Sequence, residues 1–536
     1  MKRIGAIALL YLWSCANQTT PTGGPKDEDP PVLLRSIPAH NQKNFSGSEL
    51  ELVFDEMIKL NNPAEEILII PSPGKKTEFK IKNNRVFITP ENTWNENTTY
   101  SISFREGIQD IHESNSVENL KLAFSTGPHI DSLRISGTVE DALSDKKPES
   151  MTVAIYTKDT FNIFSHTPDY FTKTLPNGEF HIENLKPNSY YIYAFYDQNK
   201  NLIVESKTEA YGFKKDLIDL NKNRDSISIK TFGIDSRPLK INSVRNLGSL
   251  TRVKFNKNII SYSTQSYFKD IVHSFGDDQT EISYYLTSDP SPDSVHISLT
   301  AMDSIKSSID TTFYLSKKDS KYKPDPLSFR FSPGILTTEN STFKVIGSYN
   351  KHITKINFDS LYIQFDTLGI DPVKPDELKL DSLHKKISLQ KKVDPTQLSF
   401  KTTASLKLGK GAFISVEGDT SKVQTISIQE VSAETTGTLL VEIISLEKSF
   451  EVQLLDTKDE VVESVKNSKK LTFKNLPAGE YKLRVLVDEN QNGVWDYGNI
   501  FTRLEPEPVH YYRTQEGNSV FPIRENWEVG PLIIRF

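Results

Sequence analysis

At 536 residues, 36% hydrophobic and 25% charged, the chain has room for roughly three to five domains and enough apolar side chains for several separate cores. Its net charge of -6, with lysines interspersed among acids, excludes the clustered basic face of a nucleic-acid binder. Cys15 is the only cysteine, which excludes disulfides within the chain and thiolate metal clusters.

Lys2 and Arg3 precede the apolar run I-G-A-I-A-L-L-Y-L-W, then Ser14 and Cys15. A charged start, an apolar run of about ten residues and a small residue describe a secretory signal peptide, too short to span a membrane permanently. L-W-S-C (Leu12 to Cys15) resembles the lipobox of bacterial lipoproteins, although Trp13 is bulkier than that motif usually carries. The resemblance implies that Cys15 becomes a lipidated first residue bearing acyl groups such as palmitate. Buried acyl chains contribute about 0.8 kcal/mol per methylene, so several of them anchor firmly. No later run reaches about 18 apolar residues, so the mature chain is expected to sit on a membrane without crossing it.

Residues 15–29 form a tether rich in Pro, Gly and Thr, which cannot bury a core. Its cluster Lys26, Asp27, Glu28, Asp29 reads as solvated linker or as a sorting signal, and leaves the outer or inner membrane face open.

Beyond the tether, periodicity two dominates: E-L-E-L-V-F, K-I-K-N-N-R-V-F-I and T-Y-S-I-S-F all alternate, and Asn83-Asn84 suits a two-residue hairpin turn. The predicted fold is all-β, a tandem of Ig-like and transthyretin-like β-sandwiches after a lipoprotein signal peptide at 1–14. The order P-P-V-L-L-R-S-I-P-A-H, E-L-V-F-D-E-M-I, R-V-F-I-T-P, T-T-Y-S-I-S-F, F-S-T-G across residues 30–128 resembles the bacterial Ig-like domain of surface-layer proteins and Bacteroidota lipoproteins. Residues 129–233 carry I-S-G-T-V-E-D and N-G-E-F-H-I-E-N-L-K-P-N-S-Y, which resemble the transthyretin-like, carboxypeptidase-regulatory-like sandwich, with Asn188 at a usual glycine. Two further Ig-like sandwiches are expected at 234–333 and 334–432, from L-T-R-V-K-F, S-V-H-I-S-L, S-L-Y-I-Q-F and Q-L-S-F-K-T, with 371–382 as helix or polar loop.

An internal repeat marks the last sandwich, 433–536. N-L-K-P-N-S-Y-Y-I-Y-A-F-Y-D-Q-N-K-N (184–201) aligns without a gap to N-L-P-A-G-E-Y-K-L-R-V-L-V-D-E-N-Q-N (475–492).

The second copy runs into D-E-N-Q-N-G-V-W-D-Y-G-N, where Asp488, Asn490, Asn492, Asp496 and Asn499 take positions 1, 3, 5, 9 and 12 of an EF-hand-like loop around Gly493, with the Val494 carbonyl between them. Alternating oxygen donors around a sharp turn suit Ca2+, bound weakly because two ligands alone are charged. A polar loop closed by Asx-turns explains the same residues. The twin loop offers Asp197, Asn199, Asn201 and Glu205, with Leu202 in place of the glycine. In either loop an ion would stiffen the chain, since no nucleophile or base lies nearby in sequence.

The ten histidines show no metal-ligand spacing, and neither a G-x-S-x-G elbow nor a phosphate loop occurs. Trp94, Trp495 and Trp527 suit stacking on sugar faces or, more commonly on sandwiches, core packing. W-D-Y-G-N, E-P-E-P-V-H-Y-Y and I-R-E-N-W resemble the ending of Bacteroidota Ig-like lipoproteins, and the final run reads as a last strand or a clasp onto a partner. The expected function is a non-enzymatic, lipid-anchored string of sandwiches, a scaffold or accessory subunit working with outer-membrane proteins and requiring no cofactor. A carbohydrate-binding lipoprotein of glycan uptake and an accessory to an envelope enzyme are the rivals.

Overall fold

The computed structural model describes residues 28–536 apart from 75, 119, 146, 149, 206, 277, 288–292, 317–321, 333, 338–340, 366–368, 382–385 and 395–403. The expected signal segment, Cys15 and most of the expected tether therefore lie outside the described residues, as does the expected strand Q-L-S-F-K-T. The described residues are all-β: helix is confined to Pro63–Glu66 and short 3-10 turns, and no helix is long and apolar enough to cross a membrane.

In the first sandwich, strands Leu33–Ile37, Leu50–Phe54, Arg85–Thr89 and Glu78–Lys82 form one sheet, facing Leu68–Ile70, Thr99–Ser103 and Lys121–Ser125. Alternation drives the packing. Leu50, Leu52 and Phe54 point inward against Tyr100, Phe104 and Phe124, while Glu51 on the other face is partly exposed. The Asn83-Asn84 turn joins the paired residues Lys82 and Arg85, with Asn83 at φ 58°.

The repeat reappears in the second and fifth sandwiches as one topology. In each, the first strand (Leu133–Asp141; Gly437–Ile444) pairs antiparallel with the strand that leads into the repeat (Glu179–Leu185; Lys470–Leu476). It also pairs parallel with the last strand (Arg224–Phe232; Glu528–Arg535). The final run is thus the closing strand of the fifth sandwich. Asn184 and Asn475 both turn the chain at positive φ, 59° and 57°. Tyr190 donates to the Lys186 carbonyl at 2.9 Å, and Tyr481 to Pro477 at 2.8 Å. The copies differ at one edge: Tyr211–Phe213 pairs with the last strand of the second sandwich, whereas its counterpart Val509–Tyr511 pairs with Gly479–Val487 but not with Glu528–Arg535.

The third sandwich sets Ile241–Leu247, Leu250–Phe255, Glu281–Leu286 and Ile271–Phe275 against Ile259–Gln265, Val295–Asp303 and Ser308–Leu315. In the fourth, a nine-stranded sheet begins at Phe329–Phe331, which pairs with Thr342–Tyr349, so strand pairing extends N-terminal of the expected boundary at residue 333. Of the segment 371–382, the described residues 371–381 form neither an α-helix nor a long loop. They hold the end of strand Gly369–Pro372, a 3-10 turn at Pro375–Glu377 and strand Leu378–Leu380. Lys391 ties this stretch down by pairing with Asp371 at 2.8 Å and Glu377 at 3.2 Å.

The sandwiches are not an open string. The fifth folds back on the second, and strand Gly479–Val487 shows why. Tyr481, Leu483 and Val485 fill its own core, and the outward Lys482 and Arg484 are buried as well. Arg484 donates to the Leu143 carbonyl at 2.6 Å, as does the Tyr511 hydroxyl. Lys482 bridges Asp145 (2.9 Å) and Asp459 (2.8 Å), and Ser519 donates to the same Asp145.

Gly137, in the I-S-G-T-V motif, lies where the parallel strands of the second sandwich approach closely. A Cβ there would stand 1.8 Å from the Ile227 carbonyl oxygen, whereas at Gly233 it would meet nothing within 4 Å. Gly137→Ala is expected to destabilise by about 1–3 kcal/mol or more, as overpacking does, and Gly233→Ala by far less. Urea denaturation of the two variants compares them directly, and equal midpoints would contradict the close approach.

Candidate functional site

The second sandwich carries two apolar faces. Along Asn188–Phe195, Tyr190, Ile192 and Ala194 point into its own core, while Tyr191, Tyr193 and Phe195 point outward. Outward aromatic rings need cover, and it comes in part from the sandwich's own Phe161, which packs against Tyr191 and Tyr193, and in part from the loop that leaves the repeat in the fifth sandwich. Trp495, Tyr497 and Ile500 pack on this face beside Leu68 of the first sandwich and Ile305 of the third. Arg503 lies over the Tyr191 ring at 4.5 Å and donates to the Lys214 carbonyl at 3.2 Å. Glu505 receives the Lys214 ammonium at 2.5 Å and the Lys215 N–H at 2.7 Å.

Within the loop, Asp488 is buried and takes its partners from the protein. Its carboxylate accepts the Asn492 N–H at 3.0 Å, the Gly493 N–H at 2.9 Å and the Ser449 hydroxyl at 2.7 Å. Asn490 and Asn492 close Asx-turns onto the N–H groups two residues ahead, at 3.0 and 2.9 Å, and the amide nitrogens of both reach Asp496 at 2.7 Å. Gly493 turns the chain at φ 90°, and its carbonyl accepts from Lys466 at 2.7 Å. The N–H of Val494 closes the second turn and its side chain is exposed. Asn499 departs from the expected arrangement: its amide reaches the Ile305 carbonyl at 2.8 Å while its Oδ1 accepts from Phe501, so it faces the third sandwich and not the loop.

The residue that braces the loop was not among those expected. Glu507 is buried, and its carboxylate accepts the N–H of Asn490 at 3.2 Å and of Asp496 at 2.8 Å. The twin has the same brace in Glu209, which accepts the N–H of Gln198 and Glu205 at 2.9 and 2.8 Å. Asp496 and Glu205 are equivalent in the repeat register, and each brace stands two residues ahead of the next strand. Asp197 caps the twin turn through the N–H of Asn201 and Leu202, Asn199 donates to Glu205 at 2.7 Å, and Asn201 closes an Asx-turn onto Ile203. Leu202 adopts φ 59°, so this loop makes the glycine's turn with a leucine whose side chain joins the apolar cluster. Lys200 pairs with Glu65 of the first sandwich. Both exit loops therefore fasten domain joints.

Charge compensation is internal too. Burial pushes the Asp488 carboxyl up, but Ser449 and the N–H groups of Gly493, Asn492 and Gln491 outweigh it and hold it below the ordinary carboxylate value. Burial also raises Asp496, and Lys306 (3.0 Å) with the two amides outweighs it. Glu507 goes the other way, raised by burial and by the nearby Asp496 and Asp488 charges. Among the described residues no three His, Cys, Asp or Glu side chains gather so as to hold a metal ion. A calcium ion at this loop would have to displace Lys306 and the amide donors from Asp496.

Of the tryptophans, Trp94 packs edge-on to Tyr100 and Phe124 in the first core, and Trp495 donates to the Glu507 carbonyl at 3.0 Å within the domain joint. Trp527 is exposed, with Arg524 over its ring at 5.1 Å.

A depressed carboxyl contributes stability above its unfolded pKa of about 3.9 and loses it as pH falls toward the folded value. The raised Glu507 acts in the opposite sense, losing stability as pH rises through its own folded pKa. Asp488 and Asp496 are thus expected to steepen the acid limb of the stability profile below about pH 4. Asp496→Asn should flatten that limb in urea denaturations from neutral to acid pH; an unchanged limb would remove Asp496 from this role. Glu507→Ala leaves two N–H donors unmet and should cost about 1–3 kcal/mol, with Glu209→Ala doing the same at the twin.

Residues 27–126 match the family described as a bacterial Ig-like domain. Residues 426–507 match one described as an uncharacterized protein conserved in bacteria, DUF2141, a range that contains the second copy of the repeat and ends on Glu507. No curated protein sequence matches the chain. Similar solved structures include the major pilin subunit BcpA of Bacillus cereus, at 12% identity over 76% of this chain and 99% of that one, with a TM-score of 0.13. A bacterial ice-binding adhesin matches at 10% identity over 56% and 98%, TM-score 0.13. The human desmocollin-1 ectodomain matches at 9% over 93% and 98%, TM-score 0.15. Scores this low carry no argument about domain arrangement or function. Residues 27–126 are thus similar to bacterial Ig-like domains, within a chain that is all-β throughout its described length.

Proposed function

We propose that the chain is a non-enzymatic, lipid-anchored scaffold or accessory subunit of an outer-membrane assembly, of the kind that inserts or exports outer-membrane proteins and surface lipoproteins. The observation that carries this reading is the use of both exit loops as internal braces. The loops at sandwich ends commonly hold binding residues, yet here they join the first, second, third and fifth sandwiches into one body. A body whose domains are held in fixed orientation presents its surfaces without an ordering cost on binding, which suits docking to other proteins. The signal segment and Cys15 support the membrane address. The glycan reading rests on Trp527, because Trp94 and Trp495 are committed to packing.

Affinity purification from native membranes in mild detergent should recover the chain with an outer-membrane partner, and recovery of the chain alone would count against the assembly role. Cys15→Ala should release it from the membrane fraction. The Asx-turn loop with its lysine counter-charge needs no ion, so millimolar calcium should leave the melting temperature unchanged. A rise that Asp488→Asn abolishes would instead favour calcium at Asp488, Asn490, Asn492 and Asp496.

A further inference from the structure

Among the described residues four lysines are buried: Lys257, Lys351, Lys391 and Lys482. Three share an arrangement in which one ammonium lies between two carboxylates. Lys351 sits between Glu417 (2.6 Å) and Asp419 (3.1 Å), Lys391 between Asp371 (2.8 Å) and Glu377 (3.2 Å), and Lys482 between Asp145 (2.9 Å) and Asp459 (2.8 Å). Burial pulls these three ammonium groups down, but hydrogen bonds and charge from the paired carboxylates outweigh it and hold them above the ordinary lysine value. They stay protonated, and a protonated amine is no nucleophile.

Lys257 is built differently. Its ion pair is with one carboxylate, Asp303, and both side chains are enclosed, 5% and 0% exposed, while the Asp235 carboxylate, itself paired with Arg237, acts on it from farther away. The two oxygens of Asp303 have separate tasks. Oδ1 accepts the N–H groups of Ile305 at 3.1 Å and Ser307 at 2.8 Å, whereas Oδ2 is buried in close contact with the Lys257 ammonium without an aligned hydrogen bond to it. Nζ also donates to the Asp235 carbonyl at 2.9 Å, which fixes its direction. Ile259, the strand partner of Asp303, and Ile305 are buried beside the pair and help exclude water.

From this geometry we infer that Lys257 and Asp303 condense into an isopeptide bond. The proton passes from Nζ to Oδ2, which leaves a neutral amine against a neutral acid. Nζ then attacks Cγ, forming the Nζ–Cγ bond and a tetrahedral intermediate with the charge on Oδ1, and the Cγ–Oδ2 bond breaks as that intermediate collapses. Oδ2 departs as water, carrying the first proton and a second one from Nζ. Atoms and charge balance, and neither oxidant nor co-reactant is required. The N–H groups of Ile305 and Ser307 stand where the tetrahedral intermediate develops negative charge on Oδ1, the arrangement of an oxyanion hole. Fixed placement of amine and acid turns a bimolecular condensation into an intramolecular one. The product favours burial as well, because two desolvated ions become one neutral amide. Lys257 lies on the crossing between Leu250–Phe255 and Ile259–Gln265, which belong to different sheets of the third sandwich, so the bond would staple that crossing to Val295–Asp303.

The test is peptide mapping by tandem mass spectrometry on the full chain purified from membranes, denatured and digested. The expected result is a branched peptide joining Lys257 to Asp303, lighter than the sum of its arms by one water and resistant to trypsin at Lys257. It should be absent from Lys257→Met, whose digest needs no folded protein to be informative. Recovery of Lys257 and Asp303 only in separate linear peptides, or of links confined to Lys351, Lys391 or Lys482, would overturn the inference.

Discussion

The outward face of the second sandwich is the constraint on which the placement of the other domains depends. Tyr191, Tyr193 and Phe195 point away from the core of their own sandwich, and left in water they would forfeit the stabilisation that burial gives a large apolar side chain, about 1.5–3 kcal/mol each. Phe161, Ile163 and Phe164 of the same sandwich cover part of this face, and Leu68 from the first sandwich, Ile305 from the third and Trp495, Tyr497 and Ile500 from the fifth close over the rest. Ion pairs at the same joints, Lys200 with Glu65 and Lys306 with Asp496, are partly exposed and contribute about 0–1 kcal/mol each. The rings therefore hold the joint, and the charges set its orientation.

The reverse contact obeys the same physics with polar groups. Lys482 and Arg484 stand on the outward side of their strand, where water would ordinarily serve them. The loop at 142–145 takes the place of water and must then satisfy them, through the Leu143 carbonyl and Asp145. Buried charges of this kind add little net stability but make wrong packings costly, since an unpaired buried ion is strongly unfavourable. Apolar cover from one side and charge satisfaction from the other define a single way for the second and fifth sandwiches to meet.

Much of this was legible in the sequence and some was not. Period-two alternation identifies strands in E-L-E-L-V-F, and the gapless repeat pairs Asn184 with Asn475 and Tyr190 with Tyr481, which share their backbone turn and hydroxyl bond in the fold. The run Y-Y-I-Y-A-F lacks alternation, which marks a strand buried on both faces, though nothing local says what covers the second face. The fold-back of the fifth sandwich was illegible because its contacts join residues more than three hundred positions apart, such as Lys482 and Asp145. Glu209 and Glu507 escaped for a different reason. Loops of unequal length separate them from Asp197 and Asp488, so the alignment that pairs the aspartates ends before it reaches the glutamates. The polar segment read as helix or loop at 371–382 holds short strands because their pairing partners, Leu361–Phe365 and Lys386–Lys392, lie outside it.

The acidic loop at 488–499 shows how one donor pattern serves two physical ends. Oxygen side chains spaced for a cation collect negative charge that has to be answered, and a bound ion would answer it locally, closing the loop upon itself. Here the answer comes from Lys306, on the third sandwich, while Asn499 reaches the Ile305 carbonyl beside it. Charge compensation drawn from another domain does what a local ion cannot, because the same interaction that neutralises Asp496 also fixes the fifth sandwich against the third. The brace from Glu507 completes the arrangement by holding the backbone of Asn490 and Asp496. With those two N–H groups fixed, the aromatic rings beyond them are delivered to the face that needs cover.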